Sequence, residues 1–556
     1  MLYNSRVVMK KAILFVAASL LTYVVEARAL LPFEIYSVPS EVRRSELFDV
    51  QVSADGEQWQ RVPVIMALTA DGGASIPLPA EVYAEFGGLK KGHHTVKCAI
   101  ASFAVRGKTW VRVEHLKGAS QLDVSPERLG VECRRDGNAI IFAVDKASKL
   151  MVRPDGDVVR TLSLLVDDCD DGRISPRGYN RVMHFKSGYH TADNSRHITL
   201  NEHGAPVVTV REDNTLILLD KGAHLCAAID IRGAKGVRIS GYGCINLLDR
   251  CCGADTNFVG EQFWAGFRMN VVPAIYIHEN ASHVDIENLT IISDFRDITV
   301  RNASDITVRN VKMFSSANNA DGINLINTQR FAADDCYIHS QDDCFCAYNS
   351  CDSIRFLWDA AEHVKGTPTS DISLRNSVVW TTCRPFVFGG HATSSLSPRD
   401  VIENIEVSNC TIIGIANSLH YNFTEKHQRT RTFWSGIFRI LSQGEQIVRN
   451  IAFRNVDVEW TKNYDGQPIH IAVRDAKKTS YGEKRGYRIE NILFDNITFR
   501  HPNHRIMPIY LKAPVAEGEP DYGIFGVTFR NVTIGGESYK ENGVLMVGNV
   551  HLDGEK

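Results

Sequence analysis

The sequence predicts an all-β protein, a right-handed parallel β-helix preceded by a small N-terminal β-sandwich. Three observations predict it. A nine-residue phrase with a central Asn recurs along the chain, with HVDIENLTI at 283–291 followed by DITVRNVKM at 305–313. The segments around it alternate with period two and are separated by turn formers rather than by helical patterns. At 556 residues the chain also exceeds the ~100–200 of an ordinary domain, which suits an architecture that grows by stacking.

Taken in order, residues 1–29 predict a cleavable secretory signal. Arg6, Lys10 and Lys11 give a basic start, 12–25 is an apolar run, and Ala27-Arg28-Ala29 is a small-x-small cleavage pattern. A permanent membrane anchor is the competing reading, but the run is shorter than the ~20 apolar residues that span a bilayer. The expectation is a secreted or periplasmic protein with no membrane insertion after cleavage.

Residues 30–125 predict the sandwich. FDVQV at 48–52 and TWVRV at 109–113 alternate, and turn formers such as Asp55-Gly56 and Asp71-Gly72-Gly73 punctuate the stretch. It carries no recognisable chemistry. The solenoid is expected over 126–556.

Further copies of the phrase occur at 371–379 (DISLRNSVV), 404–412 (NIEVSNCTI), 450–458 (NIAFRNVDV), 491–499 (NILFDNITF) and 526–534 (GVTFRNVTI), with a weaker one ending at Ile338. Each is a short strand, an Asn, then a second short strand. Asn tolerates left-handed φ, so it predicts a bend at its position. Asn288 and Asn310 lie 22 residues apart, about one coil, and other gaps are longer, as coils with variable loops would give. Equivalent positions on successive coils should stack every ~4.8 Å.

Charge excludes one class of partner. Lys plus Arg number 62 and Asp plus Glu 65, a net −3, so nothing in the balance provides a general grip on a phosphate backbone. Nucleic acid is not an expected partner.

One stretch of the repeat region concentrates acid: Asn319-Ala320-Asp321-Gly322, then Gln341-Asp342-Asp343-Cys344. Asp321 and Asp342 are 21 residues apart, which places them on neighbouring coils of one face. Carboxylates at ~5 Å in a low-dielectric groove repel, so at least one should hold its proton toward working pH. A protonated acid beside an ionised base is what glycosidic cleavage needs. A solvated acidic face or a calcium site is the competing reading. Asp342 and Asp343 reach one cleft only if the strand bends between them. Downstream, His391 follows Gly389-Gly390 and is placed to hydrogen-bond a catalytic carboxyl, and Arg439 is placed to clamp a sugar hydroxyl or carboxylate.

These motifs resemble, in the same order, those of the polygalacturonases of glycoside hydrolase family 28, in the pectinase-type β-helix clan. The resemblance covers roughly 200–535. The family pattern is Asn-Thr-Asp-Gly, Gln-Asp-Asp-Cys, Gly-His-Gly and Arg-Ile-Lys. The second is complete here at 341–344; the first has Ala320 for Thr, the third is Gly390-His391-Ala392, and the fourth has Leu441 for Lys. The resemblance implies inverting hydrolysis of a pectic polysaccharide without cofactor or metal. Asp342 would be the general acid, and Asp321 and Asp343 would activate water. His391 would support the acid, and Asn319, Gln341 and Arg439 would bind substrate. A monomer is expected. Leu441 departs where the family's Lys contacts the uronate carboxylate, which opens the site to a neutral or differently decorated glycan. The chain is also similar to the dextranase and isopullulanase family 49, which pairs a β-sandwich with such a helix. Two other classes compete: a lyase on the same fold using Ca²⁺ and an Arg or Lys base, and a non-catalytic glycan-binding solenoid. Trp358 and Trp380 are candidates to stack on a sugar.

Thirteen cysteines, an odd number, cannot all pair within the chain. Cys336, Cys344, Cys346 and Cys410 lie in or beside repeat strands, so most are expected to be buried free thiols, with Cys251, Cys252 or Cys351 as bridge candidates.

Overall fold

The computed structural model describes residues 31–68, 98–157, 160–169, 174–201, 204–247, 273–293, 295–315, 320–340, 342–349, 367–381, 383–390, 399–415, 436–461, 466–474, 485–502, 508–515, 518, 520–538 and 543–553. The signal segment 1–29 lies outside the described residues.

The N-terminal domain is two facing sheets. One holds Phe33–Ile35, Val64–Leu68, Cys98–Val105, Leu122–Ser125, Ser148–Pro154 and Leu162–Asp168, and the other Phe48–Ser53, Gln60–Val62, Thr109–His115, Arg134–Asp136 and Ala139–Val144. Val50, Val52, Val111 and Val113 of the second sheet meet Phe103, Leu150, Leu162 and Leu164 of the first in one core. The domain therefore continues to Asp168, not to 125 as the sequence led us to expect, and the first solenoid strand is Arg181–Phe185. The reason is burial on both faces. Leu162–Asp168 runs LSLLVDD with only its last residue exposed, because one face meets the other sheet and the other face meets the solenoid. A strand covered on both sides loses its alternation.

The solenoid is the right-handed parallel β-helix the repeats predict. Its coils feed a 12-stranded sheet and a 21-stranded sheet in which each coil supplies strands before and after the Asn bend. Ile298–Arg301, Ser304–Arg309 and Lys312–Ser315 form one coil, and Ile323–Ile326, Gln329–Asp334 and Tyr337–Ser340 the next, paired strand for strand in parallel. The central Asn residues are left-handed, with φ of 61° at Asn288, 50° at Asn310, 52° at Asn376, 56° at Asn409 and 54° at Asn455. Their amides also form rungs: Asn310 Nδ2 donates to Asn288 Oδ1 at 3.0 Å, and Asn496 to Asn455 at 2.9 Å. The first residue of each phrase is left-handed too, including His283, Asp305 and Asp371, a second bend not foreseen. Inside, Ile, Val, Leu and Phe stack in continuous columns, as at Phe386, Phe438, Phe453 and Phe494.

The two domains pack tightly. Ile65, Ile100, Met151 and Leu165 cover Ile292, Phe314, Tyr337, Trp380 and Ile413 of the solenoid. Within this contact Lys312 Nζ lies 2.5 Å from Asp167 Oδ1, both buried, and Ser163 Oγ lies 2.7 Å from Tyr337 Oη. Trp380 belongs here, against His339, so it is not available to stack on a sugar; Trp358 lies outside the described residues. Cys336, Cys344, Cys346 and Cys410 are buried free thiols, as expected; Cys251, Cys252 and Cys351 lie outside the described residues.

Candidate active site

The site forms at one corner of four successive coils, where the last strand of the large sheet turns into a strand of the 12-stranded sheet. Ser293, Ser315, Ser340 and Thr381 stack at the ends of those last strands. Their hydroxyls fold the corner: Ser315 donates to the Ala320 carbonyl at 2.8 Å, and Ser340 and Thr381 both donate to the Asp342 carbonyl, at 2.7 and 2.5 Å. Each corner is thus fixed by a short polar side chain in place of regular pairing.

Backbone pairing then sets which side chains stack. Asp297 N bonds to Asp321 O, Gly322 N to Asp343 O, and Cys344 N to Arg384 O. Arg296, Asp321, Asp343 and Arg384 therefore form one column, two carboxylates between two guanidiniums. The sequence placed Asp321 beside Asp342. The coils are indeed neighbours, but Asp342 N bonds to Ala320 O, so the register partner of Asp321 is Asp343. Gly322 permits the close stacking: a Cβ there would lie 2.5 Å from both Cys344 O and Ile338 Cγ2. The expected bend is present. The chain turns at Asp342 and Cys344, and carboxylate oxygens of Asp342 and Asp343 lie within 4.8 Å of each other.

The charges are buried and closely matched. Arg384 grips Asp343 with two bonds, Nε to Oδ1 at 2.6 Å and Nη2 to Oδ2 at 2.8 Å, and its Nη2 lies 3.9 Å from Asp342 Oδ1. Burial works against the Arg384 charge, but Asp343 foremost holds the guanidinium protonated. Arg296 Nε lies 3.1 Å from Asp321 Oδ2, a charge contact rather than an aligned hydrogen bond, and Asn324 Nδ2 donates to the same oxygen at 3.0 Å. Even so, Asp321 is pushed up to about 8. Burial is the main cause and Asp342 and Asp343 add to it, against Arg296 and Asn324. Beside it, Asp297 is wholly buried, which pushes its carboxyl well above the ordinary range, with Asp321 adding and the Ser315 hydroxyl opposing.

Arg439 lies on the same face, two coils beyond Asp343. It stacks over Val387 and Cys346 in the column that also holds Asn324, the side chain touching Asp321, which puts it roughly 10 Å along the axis from Asp343. Leu441 is buried in the parallel column with Tyr348 and Gly389, beside the apolar group Ile326, Cys346, Tyr348 and Val387. Gly389 has φ of 82°, and a Cβ on it would run into the Leu441 carbonyl. Asn319, Gln341 and His391 lie outside the described residues.

Among the described residues, Asp342, Asp343 and Cys383 are the one group spaced to hold a metal ion. The guanidinium of Arg384 already lies against both carboxylates, where a cation would bind. Sequence reasoning missed Arg296, Asp297, Cys383 and Arg384. A signal existed: Arg296 and Arg384 each stand two positions before a strand of the 12-stranded sheet, the offset of Asp321 and Asp343.

No protein-family model matches the chain, and no curated protein is similar to it. Solved structures are, and three of them follow. Dex49A from Penicillium minioluteum is 12% identical with a TM-score of 0.48, covering 92% of each chain. The family 28 exopolygalacturonase of Yersinia enterocolitica is 12% identical with a TM-score of 0.40, over 93% of this chain and 98% of that one. The polygalacturonase of Erwinia carotovora ssp. carotovora is 12% identical with a TM-score of 0.32, over 61% and 86%.

Proposed function

We propose that the protein is an exported glycoside hydrolase that cleaves a polysaccharide by general acid and base catalysis at Asp321, Asp342 and Asp343. The observation that carries this is the buried carboxylate trio on adjacent coils, flanked by two guanidiniums. Its charges repel, so the trio takes up a proton that no isolated carboxyl would keep near neutrality. Asp343, gripped by Arg384, is the member held ionised. The shared proton rests on Asp321 near neutrality, because burial pushes that carboxyl up to about 8, and it passes to Asp342, which gives it to the leaving glycosidic oxygen. Asp321, whose affinity for a proton is raised by its burial, takes one from the attacking water with Asp343 beside it. The trio ends the cycle with the one proton it began with. Inversion is carried over from the family resemblance, as is the supporting role of His391. Export rests on the signal-like pattern of 1–29.

The sugar has two readings, each with an observation behind it. Arg439 on the cleft face favours a uronate, hence a pectic substrate. Leu441 and the apolar group of Ile326, Tyr348 and Val387 favour a neutral glucan.

The test is Asp342→Asn against a panel of pectins, galactans and glucans, following new reducing ends by NMR. General acid loss should cost about 10²–10⁴-fold in rate with the far-ultraviolet circular dichroism unchanged. Wild-type hydrolysis that survives in the variant removes Asp342 from the mechanism, and the anomer formed first decides inversion.

A further inference from the structure

We infer that Cys383 is a positioning residue for the general acid: its thiol donates a hydrogen bond to Asp342 and biases that carboxyl toward its ionised form. The inference rests on the hydrolytic reading for its catalytic consequence, while the thiol–carboxylate pair stands on geometry alone.

Cys383 occupies the corner one coil beyond Asp342, next to Arg384. Its amide donates to Thr381 Oγ1 at 2.8 Å, and the same hydroxyl donates to the Asp342 carbonyl. One threonine thus ties both corners together and sets the thiol over the acid. Cys383 Sγ lies within 4.8 Å of carboxylate oxygens of both Asp342 and Asp343, and with burial their nearness holds the thiol protonated. Only 6% of the residue is exposed. A buried thiol facing two carboxylates keeps its proton, since a thiolate would be a third negative charge in the corner. It is therefore a fixed donor. The buried thiols of Cys336 and Cys410 point at backbone instead, the first donating to the Val308 and Asp334 carbonyls and the second to Leu374 and Ser408. Cys383 differs in meeting a carboxylate of the reacting trio.

A donor to a carboxylate favours the charged form. The thiol therefore works with Arg384 and against the mutual repulsion of the trio, making Asp342 a readier donor of its proton to the leaving oxygen. Removing the donor should strand the proton on Asp342. Among the described residues, the groups facing Asp342 at this corner are Arg384, Asp343, Asp321 and Cys383, and a Cys383 substitution changes only the last.

The experiment titrates Asp342 directly, in protein labelled with ¹³C at the Asp carboxyl carbons, with Asp342→Asn identifying the signal. Cys383→Ala should raise the Asp342 midpoint by roughly 0.5–1 pH unit, the worth of one modest hydrogen bond. Cys383→Ser, which keeps a donor, should restore it to within ~0.3 unit of wild type. On a cleaved glycan, the alkaline limb of kcat/KM should move in the same direction for Ala and not for Ser. An Asp342 midpoint unmoved in Cys383→Ala, or moved equally by Ser, overturns the inference. If the wild type cleaves nothing in the panel, the hydrolytic reading fails, and the titration still decides the thiol–carboxylate pair.

Discussion

Arg384 is the residue on which the stacked corner depends, and its removal gives the sharpest physical test of the site. Arg384→Met keeps much of the side-chain volume and deletes the charge. It leaves Asp343 buried with its two bonds, at 2.6 and 2.8 Å, unmade. Both side chains are less than a tenth exposed, so water cannot replace the partner. Breaking a buried pair from one side costs about 3–5 kcal/mol, most of it the stranded charge. The cost should fall locally, because Cys344 N bonds to Arg384 O at 2.9 Å and Phe345 N to Pro385 O at 3.0 Å. Those two amides report the opening of this corner. At about 1.4 kcal/mol per tenfold, their hydrogen exchange should accelerate by roughly two to four orders of magnitude in Arg384→Met. Adding Asp343→Asn removes the stranded charge, so the double variant should recover to within roughly tenfold of wild type, a coupling of about 2–3 kcal/mol. Exchange in Arg384→Met within threefold of wild type, or a double variant no slower than the single, would refute the view that this pair holds the corner.

Two further outcomes follow from the same charges. Asp321 is held near 8 in the folded state against an ordinary 3.8, so its contribution to stability is complete below about 4 and is lost as pH rises through about 8. Urea denaturation should therefore show Asp321→Asn gaining on wild type from pH 4 to 8, by at most ~1.4 kcal/mol per pH unit, and a difference flat with pH would contradict it; hydrolysis by wild type should likewise fall above about pH 8 as the trio loses its proton. At the domain contact, Lys312→Met should cost about 3–5 kcal/mol in the same assay by stranding Asp167, and Lys312→Met with Asp167→Leu should recover most of it, whereas equal losses in single and double variants would show the ion pair to be incidental.

The parts of this architecture that were legible in the sequence are those that repeat. Asn288, Asn310, Asn376 and Asn409 could be read as bends because one residue type recurs where the backbone must turn left-handed. The sandwich boundary was not legible, because Leu162–Asp168 is sandwiched between a sheet and a solenoid and lost the alternation that marks its neighbours. The register of the acids was off by one for a related reason. Counting residues between Asp321 and Asp342 measures chain length, while pairing is decided at the corner, where Gly322 draws Asp321 level with Asp343. The arginines escaped because an isolated Arg carries no pattern of its own. Arg296 and Arg384 become visible only when the corners are aligned on Ile298, Ile323, Phe345 and Phe386.

That alignment also explains why the corner needs a proton at all. Among the described residues, two guanidiniums, Arg296 and Arg384, face three carboxyls, Asp321, Asp342 and Asp343, so full ionisation would leave these five groups one negative charge in excess in a buried corner. An unpaired buried charge is far more costly than a protonated acid. One proton balances the corner, and it is the proton the reaction transfers. Asp297 beneath it, held neutral by burial, adds no charge and leaves that balance intact. A third guanidinium in the column would compensate all three carboxyls and remove the reason for keeping a proton. A column with only one would demand two, leaving a single ionised carboxyl to activate the water. The two-arginine column is thus the count at which an acid and its bases coexist.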